Sequence, residues 1–122
     1  MYSYIAIFIG GGLGSIARFS LSRYIHTFTT STFPFGTLAV NVISSIILGS
    51  FLGLANEKML ASSNIKLLVI AGFCGGFSTF STFSFETIEL IRSGNMIYAI
   101  ANILVSVALC VGVIFFLLKN IN

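Results

Sequence analysis

The sequence predicts an all-α membrane protein with four transmembrane helices in a single domain, residues 1–122. Of these residues, 57% are hydrophobic and only 7% are charged, whereas roughly a quarter of the residues in a soluble domain are charged. Apolar runs occupy about residues 4–24, 36–56, 65–91 and 96–118. Each is close to the roughly 20 residues that a helix needs to cross a hydrocarbon core of about 30 Å. We therefore expect a multi-pass protein of the cell membrane, surrounded by the lipid bilayer.

The first span is glycine-rich, and no basic residue precedes it. Secretory signals carry a basic region followed by a continuous apolar stretch, so we expect this segment to be a retained membrane helix. Gly10 and Gly14 form a GxxxG pair, which is typical of close helix packing. Arg18 lies about a turn or two from the expected interface, where its side chain either snorkels towards water or forms a positive vestibule that attracts anions.

Small and polar residues recur at intervals of four in the second and fourth spans. They are Thr37, Asn41, Ser45, Gly49 and Gly53, and Tyr98, Asn102, Ser106 and Cys110. Because residues at i and i+4 share one helix face, we expect the two polar faces to face each other and not lipid. Small residues at this spacing favour close packing. The Asn41 carboxamide needs several hydrogen-bond partners, so it either ties helices together or faces a hydrated path.

The stretch GFCGGFSTFSTFSFE, residues 72–86, places glycine and hydroxyl residues inside the third span. Gly75 and Gly76 are poor helix formers, since a glycine in a helix interior costs about 1 kcal/mol relative to alanine. The hydroxyls of Ser78 and Thr79 compete for backbone hydrogen bonds. We therefore expect the third helix to be broken near its middle. Backbone groups freed by a break must be buried in protein or line a cavity, and freed carbonyls suit a small cation.

Two stripes with a period of three, one aromatic and one hydroxyl, run through this part of the third span. They are Phe77, Phe80 and Phe83, and Ser78, Ser81 and Ser84. A phenylalanine stripe is typical of core packing. Alternatively, the positive edges of aromatic rings and the hydroxyl donors replace water around an anion without adding a fixed charge. An isolated ion in a low-dielectric medium costs on the order of tens of kcal/mol, so a conduction path needs many modest partners and no buried lysine.

No span carries a charged residue at its midpoint, and Glu86 and Glu89 lie towards the end of the third. A proton-driven cation antiporter normally needs a midplane carboxylate, so that class is disfavoured. Glu86 either shapes a pore mouth, couples to protons, or balances Arg92 in the following hairpin. The short loop 92–95 contains Gly94, a residue typical of helix ends, and predicts a tight antiparallel hairpin of the third and fourth spans.

Other residues exclude further classes of function. Cys74 and Cys110 fall within spans and lack a CxxC partner, so we expect them to be packing residues. His26 is alone in a loop and does not indicate a metal site. The net charge of +3 gives no reason to propose a nucleic-acid partner. We expect a protein that is not an enzyme.

The distribution of Lys and Arg between the two membrane faces sets the orientation of a multi-pass protein. The two faces are balanced here, with Lys58, Lys66 and Lys119 on the side of the termini and Arg18, Arg23 and Arg92 on the other. A chain without a charge bias inserts both ways up, and two opposed copies supply the inverted symmetry that larger transporters obtain from internal repeats. We therefore predict an antiparallel, dual-topology dimer. The alternative is another cue, such as the first helix, that sets one orientation.

Three motifs carry a resemblance that covers essentially the whole chain. GFCGGFSTFSTFSFE in the third span, GTLAVN at 36–41 and GGGLGSIAR at 10–18 are similar to the fluoride channel family, often called the CrcB or Fluc proteins. The resemblance implies antiparallel dual-topology dimers with two pores that export fluoride passively. It also implies a structural sodium ion at the dimer centre, held by the backbone carbonyls of Gly75 and Ser78 and not transported.

The resemblance further implies which residues serve each pore. It assigns Asn41, Phe80 and Phe83 to the fluoride pathway and Arg18 to the vestibule. From the polar faces and the hydroxyl stripe we add Ser106, Ser81 and Thr37 to the pathway, and from its place near the end of the third span we add Glu86 to the vestibule. The chain departs from the family at Asn102, since the family often has a tyrosine one turn before the serine, and at Ser78, where threonine is common.

Two alternatives follow from these departures and from the size of the chain. The chain could be one half of a heterodimer of homologous chains, which the unusual Asn102 favours and the balanced basic residues do not. It could also be a small multidrug-type exporter. That class predicts a membrane-embedded glutamate in the first span and usually tryptophan, and this sequence has neither.

Overall fold

The computed structural model describes residues 2–55 and 61–121, and these residues form helices without any strand. The elements are α1 (Tyr2–His26), α2 (Phe35–Leu54), α3 (Ser63–Lys66), a π-helical segment π1 (Leu67–Cys74), α4 (Gly75–Phe77), α5 (Phe80–Arg92) and α6 (Met96–Ile121). Residues 56–60 lie outside the described residues; they include half of the loop expected at about 57–64 and Lys58 of the orientation argument.

Four of the described helical stretches are long and apolar enough to cross a membrane. They are Tyr2–His26, Phe35–Leu54, Asn64–Arg92 and Met96–Asn120, with mean hydropathy between 1.5 and 2.7. The stretch Asn64–Arg92, called the third span below, combines α3, π1, α4 and α5. These findings confirm the predicted all-helical class with four membrane-spanning helices.

Glycine allows α1 to pack directly on the backbone of the third span. A Cβ atom on Gly10 would overlap the carbonyl oxygen of Leu68 and lie 2.9 Å from the amide nitrogen of Phe73. One turn later, a Cβ on Gly14 would overlap the carbonyl oxygen of Phe73 and lie 2.9 Å from the amide nitrogen of Phe77. Both glycines are buried. The packing role predicted for the GxxxG pair is confirmed.

The glycine pair of the third span also contributes to this interface and is itself helical. Gly75 has φ −64° and ψ −36°, and a Cβ on Gly76 would lie 2.5 Å from the carbonyl oxygen of Gly11. The extended residues come afterwards, at Ser78 with φ −77° and ψ 157° and at Thr79 with φ −148° and ψ 114°. Gly76 is therefore explained by close helix packing, and the irregular backbone begins two residues after it.

The third and fourth spans form the expected hairpin. α5 ends at Arg92 and α6 begins at Met96. Between them Gly94 takes a φ of 88°, a backbone conformation that residues with a Cβ atom rarely adopt. The amide of Asn95 donates to the carbonyl of Leu90 at 2.8 Å and closes the turn.

The second and fourth spans pack closely at Gly49, where a Cβ would lie 3.0 Å from the Leu117 side chain. This contact confirms the packing role expected for Gly49. It also brings the polar face of α2 beside that of α6, which sets up the site described next.

The glycine contacts yield a prediction with a matched control. Gly14→Ala should lower the free energy of unfolding by about 1–3 kcal/mol, because the added methyl group overlaps backbone that cannot rotate away. Gly12→Ala should leave stability unchanged or raise it by up to about 1 kcal/mol, because nothing lies within 4 Å of its Cβ position and alanine favours the helix. Denaturant unfolding in detergent, followed by circular dichroism, measures both; equal effects would contradict the packing role.

Candidate functional site

A cavity of about 290 Å³ lies where the second, third and fourth spans meet. Its lining residues are Asn41, Ser45, Ser78, Thr79, Phe80, Phe83, Ser106, Val107, Cys110 and Val111. The polar faces of α2 and α6 thus face each other across the cavity, as their spacing of four predicts. The third span contributes its extended residues and the start of α5.

Four of the six residues expected on the fluoride pathway line this one cavity: Asn41, Phe80, Phe83 and Ser106. The other two lie elsewhere. Ser81 is exposed, with its hydroxyl 3.4 Å from that of Thr79. Thr37 is buried beside the carboxyl group of Glu86.

Asn41 supplies the backbone partners that Thr79 lacks. The Thr79 amide donates to Asn41 Oδ1 at 2.8 Å, and Asn41 Nδ2 donates to the Thr79 carbonyl at 3.2 Å. An extended residue between two helices has no intrahelical partner for these groups, and buried backbone groups are almost always paired. Asn41 therefore ties the second span to the third while it also borders the cavity. One hydrogen on its Nδ2 atom remains for another acceptor.

Side chains also satisfy the carbonyls at the end of the first half of the third span. The Cys74 carbonyl accepts from the Ser78 hydroxyl at 2.8 Å and from the Ser44 hydroxyl at 3.3 Å. On the other side of the interruption, the Thr79 hydroxyl accepts from the Thr82 amide at 3.1 Å and caps α5. These contacts hold both helix ends in place.

Arg18 lies against the same helix end. Its Nε donates to the carbonyl of Gly76 at 3.1 Å, where the negative end of the helix dipole favours a cation. The sequence suggested snorkelling or a vestibule, and this contact with the third span was not foreseen. It links the first span to the interruption.

Three carbonyls near the interruption receive no hydrogen bond. Within the part of the chain that the structure describes, the hydrogen bonds around residues 74–79 reach the carbonyls of Cys74, Gly76 and Thr79 but not those of Gly75, Phe77 or Ser78. Gly75 is exposed on the surface of the single chain. Two of the three, on Gly75 and Ser78, are the oxygens that the family resemblance implies as ligands of a small cation.

The two cavity phenylalanines differ in burial. Their ring centroids are 5.6 Å apart with an angle of 39° between the planes. Phe83 is 9% exposed, whereas Phe80 is 78% exposed. Core packing within the chain explains Phe83 but leaves most of the Phe80 ring uncovered at the rim of the cavity.

A buried hydrogen-bond chain joins α5 to α6 beside Phe83. Ser106 Oγ donates to Asn102 Oδ1 at 3.3 Å, Asn102 Nδ2 donates to Thr87 Oγ1 at 2.9 Å, and Thr87 Oγ1 donates to the Phe83 carbonyl at 2.8 Å. The spacing of four identified Asn102 and Ser106 as members of one face. Thr87 was missed, although it lies four residues after Phe83.

The two glutamates of α5 have different surroundings. Arg92 lies 3.6 Å from Glu89, and both side chains are exposed. Glu86 faces Thr37 instead, and its Oε1 is buried with no hydrogen-bond partner among the described residues. The interpretation in which Glu86 balances Arg92 is therefore wrong, because Glu89 occupies that position.

Four helices able to cross a membrane, three of which line a cavity with amide, hydroxyl and aromatic groups, are the features of a multi-pass membrane protein that passes a small solute. Comparison with known proteins identifies the family. Residues 5–118 match the family model described as CrcB-like protein, Camphor Resistance (CrcB). The chain belongs to this family, as its motifs predict.

Curated relatives cover nearly the same length. Proteins named fluoride-specific ion channel FluC are 42% identical in Geobacter sulfurreducens (90% of this chain and 89% of the relative) and 44% identical in Syntrophotalea carbinolica (88% and 86%). The relative of that name from Pyrococcus abyssi is 41% identical over 91% of this chain and 89% of its own length. These are ion channels and not enzymes, in agreement with the predicted class.

The contacts of Asn41 generate a second prediction. Asn41→Leu should lower the free energy of unfolding by about 1–3 kcal/mol, because it leaves two half-buried backbone groups of Thr79 without their partners. Asn120→Leu is the control, since among the described residues the Asn120 amide bonds the carbonyl of Phe116 on the exposed end of α6. Denaturant unfolding in detergent and hydrogen exchange at the Thr79 amide measure the effect. Unchanged protection of that amide in Asn41→Leu would refute the role.

Proposed function

We propose that this chain forms a fluoride-selective channel that exports fluoride passively across the cell membrane and lowers fluoride inside the cell. The proposal depends on one observation: Asn41, Phe80, Phe83 and Ser106, from three different spans, meet at a single cavity. The relatives named fluoride-specific ion channels support the choice of ion.

The lining of the cavity suits a small anion that passes through. One hydrogen on Asn41 Nδ2 is free to donate, the Ser106 hydroxyl can donate once it turns away from Asn102, and ring edges present a weak positive potential. No side chain among the described lining residues carries a formal charge. Several modest partners offset the loss of hydration, whereas a buried lysine would retain the ion. Fluoride would move between Asn41 on the second span and Ser106 on the fourth, along the rings of Phe80 and Phe83.

A second copy in inverted orientation would complete each pore. Phe80 is 78% exposed and Gly75 is exposed in the single chain, and a partner copy would cover both. The balanced basic residues of the sequence support insertion in both orientations. The remaining apolar faces would contact lipid.

The interruption at Ser78 and Thr79 would lie within the membrane and break the third helix there. Two of its free carbonyls, those of Gly75 and Ser78, are hard oxygen ligands that fit sodium, and this pair from each copy would make a four-oxygen site at the dimer centre. The bound ion would hold the helix ends of both copies together and would not be transported. Arg18, beside Gly76, and Glu86, beside Thr37, would flank the two ends of the pathway as vestibule residues.

A second candidate is a subunit that conducts only with a homologous partner chain. Asn102 favours it, because this position departs from the tyrosine that the family often carries. The multidrug-type exporter has no supporting feature among the described residues, since no glutamate occurs in α1.

One experiment tests both the anion selectivity of the protein and its ability to conduct without a homologous partner chain. Protein expressed alone and reconstituted into liposomes loaded with both potassium fluoride and potassium chloride should release fluoride and retain chloride once valinomycin carries the potassium. Ion-selective electrodes measure both anions. Equal release of the two anions would refute selectivity. No release from the single chain, restored by a co-expressed homologous chain, would establish the partner-subunit alternative.

The aromatic residues supply the next prediction. Phe80→Ile and Phe83→Ile should each reduce fluoride efflux at least about tenfold, the equivalent of about 1.4 kcal/mol in the barrier, because an aliphatic chain has no positive ring edge. Phe85→Ile is the control, since Phe85 is 64% exposed on the same helix and does not line the cavity. Size-exclusion chromatography confirms that each variant keeps its oligomeric state. Normal efflux through both cavity variants would assign the rings to packing alone.

A further inference from the structure

The hydrogen-bond chain from Ser106 to Phe83 determines where the Ser106 proton points. All of its members are buried, with Asn102 only 1% exposed. It ends on the carbonyl of Phe83, which can only accept. The direction of every bond follows from that end.

Each group of the chain fixes the proton of the next. Thr87 has a single hydroxyl proton, which it donates to the Phe83 carbonyl at 2.8 Å. The atom of Asn102 that faces Thr87 at 2.9 Å must then be the donor, Nδ2, so Oδ1 faces Ser106. An amide oxygen only accepts. The single proton of the Ser106 hydroxyl is therefore directed at Asn102 and away from the cavity.

In the resting state, this orientation of the Ser106 proton is unfavourable for an anion in the cavity. Ser106 lines the cavity, but with its proton on Asn102 it presents lone pairs to any ion there. A hydroxyl in that state repels an anion and becomes an anion ligand only after it rotates. Rotation would leave Asn102 Oδ1 buried with no other donor among the described residues.

We propose that Asn102 is a positioning residue that competes with the transported anion for the Ser106 proton. The inference rests on the proposed function and deepens it. As each fluoride passes, the Ser106 hydroxyl breaks its hydrogen bond to Asn102 and forms one to the ion. Because a buried polar group without a partner is unfavourable by an amount similar to the bond gained, the ion is held weakly at this position, as conduction requires.

Thr87 sets the direction of the chain in this mechanism. Without its hydroxyl, the Asn102 amide is free to turn over and donate Nδ2 to Ser106. The Ser106 proton would then point into the cavity although Asn102 itself is intact. Loss of the Asn102 acceptor and loss of the Thr87 hydroxyl that orients it should therefore have the same effect: both free the Ser106 proton for fluoride.

The experiment measures the fluoride concentration that gives half-maximal efflux from proteoliposomes. Asn102→Leu removes the acceptor of the Ser106 proton, and Thr87→Val removes the hydroxyl that orients the Asn102 amide. Both substitutions nearly conserve side-chain volume. Each should lower the half-maximal concentration about tenfold, as expected when a donor to a charged partner is released. Neither should lower it in a Ser106→Ala background, because the effect passes through that hydroxyl.

Two further variants separate this mechanism from a general loss of packing. Thr87→Ser restores a hydroxyl and should return the half-maximal concentration towards that of the unaltered protein. Ser84→Ala removes a hydroxyl that also donates to a carbonyl four residues earlier on α5, at 2.8 Å, but that lies outside the cavity lining. It should leave the half-maximal concentration unchanged.

The outcomes are distinguishable. If the unaltered protein releases no fluoride, the proposed function fails. If it releases fluoride and either Asn102→Leu or Thr87→Val, in folded and monodisperse form, keeps the original half-maximal concentration, only the positioning role of Asn102 is refuted. A shift that persists in the Ser106→Ala background also refutes it, because the effect then does not depend on the Ser106 proton.

Discussion

The constraint on which the rest depends is that backbone amides and carbonyls at membrane depth need partners from the protein itself. The third span leaves the helical backbone conformation at Ser78 and Thr79, and three side chains from the first and second spans bind the backbone around them. Asn41 pairs with both backbone groups of Thr79, the Ser44 hydroxyl reaches the Cys74 carbonyl, and Arg18 reaches the Gly76 carbonyl. Irregular backbone in the third span therefore requires polar groups on the first and second spans at the same depth.

The glycines of α1 make this arrangement possible by a different physical route. Gly10 and Gly14 allow the backbones of two spans to touch, which gains van der Waals contact where lipid offers no hydrophobic driving force between helices. The same approach brings Arg18 within reach of the third span. Close packing and hydrogen bonding thus act at adjacent turns, and each supports the other.

Two asparagines flank the cavity from opposite sides and share one principle. Asn41 satisfies an extended residue and retains a hydrogen on Nδ2, while Asn102 receives the proton of Ser106. The ring of Phe83 lines the cavity beside Asn41, and its carbonyl ends the network of Asn102. Neutral amides position the donors around the cavity without placing a fixed charge in it, so the local electrostatic preference depends on hydroxyl orientation.

The sequence by itself determined the four spans, because apolar length is a local property, and the hairpin at Gly94, because a positive φ favours glycine. Spacing by four assigned Asn41, Asn102 and Ser106 to polar faces, and the motifs identified the family. Only the tertiary structure decided that Asn41 pairs with Thr79, that the irregular backbone follows Gly76 by two residues, and that Thr87 orients Asn102. Periodicity tells which face of a helix a residue occupies, but its partner on another span depends on how helices are staggered in depth and rotated against each other, and close packing sets those positions.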